Sequence, residues 1–246
     1  MEEIVSRILP FFSTPKSYED VLKKLAGTAF YEVYIITLIL RSNPHVDELF
    51  LSIEKWGAIG RLISLIPHYE VINISGLFIA FAVSTLTYVF EFHDRLSDLV
   101  GIRETFDTES IIFPLARGVG FDIGEDLKQK IIADRHKIMH SAFYRFSSSR
   151  NEKPLVDKHD IEHALNAWSW FWIFVEGVSY FLAGCVVSIF FRDSEIGFIL
   201  ACVAVVTFVL ALLQHSRLKK YAAPQVQRIL SDADASKVVK SVFDAL

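Results

Sequence analysis

The chain has 246 residues, 52% of them hydrophobic and 22% charged, with a formal net charge of −4, a pI near 6.1 and a mean hydropathy of +0.36. It is too apolar for an ordinary soluble domain of this length, and its slight acidity supplies no global field for nucleic acid, so any such contact needs a local basic patch. The two cysteines, Cys185 and Cys202, lie inside apolar runs and are too few for a disulfide scaffold, and the acidic start Met1-Glu2-Glu3 lacks the positive region and cleavage site of a signal peptide.

In chain order, the first apolar run is residues 26–40, 15 residues containing Glu32. The stretch 46–65 follows, with Leu49, Phe50, Ile53, Trp56, Leu62 and Ile63 at helical spacing, which suits a helix lying on the membrane interface. Residues 71–90 form 20 positions without a charge, about 30 Å of helix at roughly 1.5 Å per residue, enough to cross hydrocarbon. Residues 168–191 hold one charge, Glu176, and open on the aromatic belt Trp168-Ser169-Trp170-Phe171-Trp172. Residues 196–214 carry none.

Basic residues decide between three spans and four. With four, the segments 1–25, 92–167 and 215–246 share one side and hold 21 of the 25 Lys and Arg, leaving Arg41, Lys55, Arg61 and Arg192 opposite. That asymmetry puts both termini and residues 93–167 in the cytoplasm. The expected protein is therefore all-α and polytopic with four spans. It has an N-terminal membrane region at 1–92 with spans near 26–40 and 71–90, a cytoplasmic helical domain at 93–167, a transmembrane hairpin at 168–214 and an amphipathic cytoplasmic tail at 215–246.

Within 93–167, residues 94–102 and 108–117 read as short helices around a turn-like Glu104–Asp107, with Pro114 weakening the second. Asp122 and Glu125 form a capping box for a long helix to about Phe146 striped by Leu127, Ile131, Ile138 and Ala142. A loop at 147–154 follows, and Asp157 caps a helix with Ile161, Ala164 and Leu165 that continues into the third span. In the tail, Pro224 starts a short helix with Val226 and Ile229. Asp232–Asp234 then break the chain before the stripe Val238, Val239, Val242, Phe243 and Leu246.

Near the end of the long helix stands Arg135-His136-Lys137-Ile138-Met139-His140. An Arg and a His five residues apart, a polar residue after the Arg, and a following loop and helix resemble the HEPN superfamily across 93–167. The whole layout is similar to the small membrane-bound HEPN-like accessory and effector proteins of RNA-targeting CRISPR and other bacterial antiphage systems. The resemblance implies a bacterial inner-membrane homo-oligomer joined through the cytoplasmic domain, with the lipid bilayer, RNA or an RNA-guided effector as partners and no cofactor. In nuclease members a His serves as general acid or base on the ribose 2′-OH and the Arg holds the phosphate without metal, roles that fall here on His140, with His136, and Arg135. The residue types suit that chemistry, because imidazole exchanges a proton near neutral pH and a guanidinium binds phosphate in two places. Five residues turn a helix by about 140°, so the two converge most easily across a two-fold axis. Ala142 occupies the position where some toxin members have Tyr, with Tyr144 two residues on.

Alternative uses of these residues stay open. Arg135 can pair with Asp134, Glu125 or Asp126, and His140 can serve helix packing. His136 and His140, with His159 and His163, are two i,i+4 pairs that together could bind a metal. Glu176, inside a span, must face protein, water or a pore, and Gly177 and Gly184 lie on nearly one face where another helix can approach closely.

Overall fold

The computed structural model describes residues 13–55, 73–148, 151 and 154–246. Among them every regular element is helical and no strand forms. The helices are α1 (Tyr18–Leu40), α2 (Pro44–Glu54), α3 (Ile74–Val89), α4 (Phe92–Val100), α5 (102–118), α6 (Glu125–Ala133), α7 (135–147), α8 (Lys158–Phe190), α9 (Ser194–Ser231) and α10 (Ala233–Asp244). They form two units. One comprises Ser13 and the described residues of 22–92 and 170–212, and the other comprises 14–21 and the described residues of 93–169 and 213–246.

In the first unit, Ile36 and Leu40 of α1, Val46 and Phe50 of α2, and Ile196 and Leu200 of α9 make a common core. The chain bends by 118° between α1 and α2. Pro44 opens α2, and the Asn43 side chain before it accepts from the backbone N–H groups of His45 and Val46. Such a cap ends one helix and starts another, because proline cannot continue the earlier ladder. Arg41 fixes the corner with hydrogen bonds to Asp47 at 2.7 Å, Glu54 at 3.2 Å and Asn73 at 3.0 Å.

The outer surface of this unit is apolar: Phe81 is 65% exposed, Val186 67%, Phe190 80%, Phe198 71% and Val205 63%. Water rejects so continuous an apolar surface, whereas lipid does not. The 33 residues of α8 and the 38 of α9 make each long and apolar enough to cross a membrane, and α1 with α2 and α3 with α4 raise the number to four if each bent pair is one crossing. The segment read as 71–90 is helical over Ile74–Val89; residues 71–72, like Trp56, Leu62 and Ile63 of the expected interface helix, lie outside the described residues.

In the second unit the sequence reading needs four corrections, one of them the break at Asp134 that divides the expected long helix into α6 and α7. Glu104–Asp107 is helical. The break falls at Gly101, whose φ of +69° favours glycine, and α5 then runs through Ile102–Asp107, a π-helical turn Thr108–Ile112 and Phe113–Gly118. The wide turn comes just before Pro114, where the ordinary ladder would lose a donor. The Asp122 capping box does not form: α6 begins at Glu125 after Gly124, with no side-chain cap. Pro224 starts nothing, because α9 passes through it. Leu218, Ala222, Val226 and Ile229 are buried on both sides of that proline, and their burial offsets one missing hydrogen bond. The expected loop is described only at its edges, residues 149–150 and 152–153 lying outside. Asp157 accepts from His159 N at 2.7 Å at the head of α8, and Asp232 caps α10, which buries Ala235, Val239 and Phe243.

Candidate functional site

The Arg-x4-His motif sits on α7, directly after a kink at Asp134 that separates it from α6. Arg135–Ile138 is α-helical, Met139–Tyr144 is a π-helical turn, and Arg145–Ser147 is α-helical again. The second wide turn carries His140 and Tyr144, and the first follows Asp107. Single π turns re-aim side chains that regular winding would place elsewhere, and they recur at functional sites.

Arg135 points into its own unit. Its Nη1 donates to Asp107 Oδ2 at 2.8 Å, with side chains 8% and 7% exposed, and its Nη2 lies 3.0 Å from His136 Nε2. The sequence candidates for its partner, Asp134, Glu125 and Asp126, give way to a residue 28 positions away on another helix. Burial pushes the Asp107 carboxyl up to about 6 and outweighs the lowering by Arg103 and Arg135.

A second cluster adjoins this pair. Arg103 Nη1 donates to Asp94 Oδ1 at 2.7 Å, and the Tyr18 hydroxyl donates to Asp94 Oδ2 at 3.0 Å and lies 2.7 Å from His93 Nε2. Burial lowers the Arg103 pKa, but Tyr144, Asp94, Tyr18 and Asp107 together raise it further, so the net shift is upward. Burial, with the Asp107 charge, raises Tyr144, which hydrogen-bonds to Arg103. Burial also lowers His93 below the usual imidazole value, against the pull of Asp94.

Tyr18, Arg103, Asp107 and Tyr144 of these clusters line a cavity of about 830 Å³ within the second unit, with His140, Trp168 and Gln225 also in its walls. Asp107 therefore joins the two motif residues: it grips Arg135 behind the wall and shares the cavity with His140. The His140 ring stands edge-on to Tyr144 at 6.5 Å. Chemically the cavity presents a guanidinium, an imidazole, a phenol and aromatic faces, a set able to hold an anionic or ring-bearing small molecule.

The remaining candidates are dispersed. His136 is exposed and engaged with Arg135. His159 and His163 meet each other, Nε2 to Nε2 at 2.9 Å, with Tyr221 stacked on His163. Among the described residues no three His, Cys, Asp or Glu side chains group as a metal ion would require, so the two His pairs do not combine. Glu176, Gly177 and Gly184 are in the first unit: Glu176 is 1% exposed, Gly177 faces Glu32 and Thr207, and Gly184 faces Ile36 and Leu200. Sequence reasoning missed Asp107, Arg103, Asp94 and Tyr18. Their one signal was charge or phenol on helices whose partners are remote in the chain.

A curated relative, "Uncharacterized protein YmfE" of Escherichia coli (strain K12), is 25% identical over 166 residues, which cover 67% of this chain and 66%, just under two thirds, of that protein. No solved structure matches. The YmfE protein family model matches residues 17–245, and the chain belongs to that family.

Proposed function

We propose that the protein is a bacterial integral inner-membrane protein of antiphage or CRISPR-linked defence. In this reading the unit containing residues 93–169 is a HEPN-like cytoplasmic bundle, and the protein works as a homo-oligomer that perturbs or permeabilises the bilayer. One observation carries the choice of effector over ribonuclease: the motif guanidinium is held in the interior by Asp107 of the same protein. A phosphate-binding Arg must present its fork to the substrate, while an Arg clamped behind a cavity wall braces the bundle. The exposed apolar faces of α3, α8 and α9 support the membrane part of the reading.

The test is expression in phage-challenged cells with a potential-sensitive dye. Wild type should depolarise the membrane while total RNA stays intact, and R135A and H140A should both lose depolarisation. Cleaved RNA with a polarised membrane would reject the effector reading.

A metal-independent ribonuclease is the second reading, favoured by the placement of His140 in one cavity with Arg103 and Tyr144. An imidazole near a guanidinium can move a proton while charge builds on phosphate. Under that reading purified protein cuts single-stranded RNA in EDTA, and H140A abolishes cutting without changing oligomer size.

A further inference from the structure

The two carboxylates that interrupt the apolar runs of the first unit, Glu32 and Glu176, are far apart in the chain, yet the fold brings them together. Glu32 Oε1 lies against Gly177 so closely that a Cβ there would stand 2.9 Å from it, and Gly177 is the neighbour of Glu176 on α8. Glu176 is 1% exposed, and its Oε1 has no hydrogen-bond partner among the described residues. The Tyr180 hydroxyl, one turn along α8, bonds Glu176 and lies 2.8 Å from the Thr87 hydroxyl of α3. Thr207 of α9 approaches from another side, its methyl 3.3 Å from the position of a Gly177 Cβ.

Four helices thus enclose two carboxylates, a phenol and a threonine hydroxyl. Lys24, two turns before Glu32 on α1, is engaged elsewhere, with the Ser13 carbonyl at 3.0 Å and the Trp170 ring at 4.8 Å. Two carboxylates side by side in apolar surroundings need positive charge between them, and intramembrane acids of this kind mark ion and proton paths. Gly177 removes the side chain that would keep Glu32 away, and the half-buried position of Glu32 leaves the pair an opening.

We propose that Glu32 and Glu176 form an exchangeable binding site for one monovalent cation, a proton or an alkali-metal ion, within the membrane-crossing unit. The proposal rests on the membrane reading but is independent of the defence reading.

The experiment is labelling of full-length protein in phosphatidylcholine vesicles with dicyclohexylcarbodiimide, which attacks protonated carboxyls in apolar surroundings, with peptide mapping of the adducts. Labelling at Glu176 or Glu32 should fall at least fivefold between about pH 5.5 and 9. If sodium at fixed pH also protects, the cation is an alkali ion; if it does not, the cation is a proton. E176Q should lose the Glu176 adduct, and E32Q should leave Glu176 labelled, with its pH profile displaced and any protection by sodium lost. The proposal is overturned if wild type is not labelled at any pH, or if labelling ignores both pH and sodium. Vesicle flotation run in parallel reads membrane insertion separately, so a failed site and a failed membrane assignment are distinguishable.

Discussion

Removing Arg135 alone leaves Asp107 buried and charged, and removing Asp107 alone leaves the guanidinium in the same position. R135A and D107A should therefore each cost about 3–5 kcal/mol, while the paired change R135M/D107L, which fills the same space with apolar groups, should cost far less than their sum. Thermal unfolding in detergent followed by Trp fluorescence reads this. Additive losses would mean that the 2.8 Å pair is incidental. The pH dependence has a definite sign. Burial raises Asp107 from its ordinary 3.8 to about 6, so the folded state holds this proton more tightly than the unfolded chain. Its contribution to stability is greatest below the lower value, declines as pH rises to the upper one and is constant above it. The stability difference between wild type and D107N should follow that course, and a difference that grows with pH would contradict it. Arg135 was legible as a special residue from its spacing to His140. Asp107 was not, because a partner 28 residues away leaves no local mark and its segment reads as a turn.

At the scale of the helices, close packing at two glycines sets the separation of α8 from its neighbours. A Cβ at Gly184 would stand 2.8 Å from Ile36 Cγ2 and 3.2 Å from Leu200 Cδ1, so G184L should destabilise by about 1–3 kcal/mol, read by the same unfolding assay. Gly124 supplies the contrast: nothing lies within 4 Å and its φ is ordinary, so G124A should be neutral or slightly stabilising. The apolar runs were plain in the sequence, because charge-free stretches of that length have few other uses. Continuity through Pro224 and through Glu104–Asp107 was not plain, since burial across the whole unit overrides local propensity there. The wide turns at Thr108–Ile112 and Met139–Tyr144 have no residue pattern that announces them.

For the whole molecule, the division of Lys and Arg predicts sidedness. In a C185A/C202A background, single cysteines at Ser148 and Ser236 should react with an impermeant maleimide from one side of sealed inverted vesicles, and one at Glu48 only after the vesicles are opened. Equal labelling at all three in sealed vesicles would rule out four crossings. The exposed apolar side chains on α3, α8 and α9 make the complementary expectation that the protein leaves the membrane fraction only with detergent, not with high salt or carbonate.

Each wide turn stores one residue more than the winding around it, so the chain has a length to spare at two places beside the cavity. Excising Ser141 would let α7 close into uniform winding with its backbone ladder intact. The protein should then fold nearly as before, yet Tyr144 would swing off Arg103 and the imidazole just upstream of the cut would leave the wall. A deletion silent for stability and ruinous for activity would mark those surplus residues as the means by which this helix shapes its chamber.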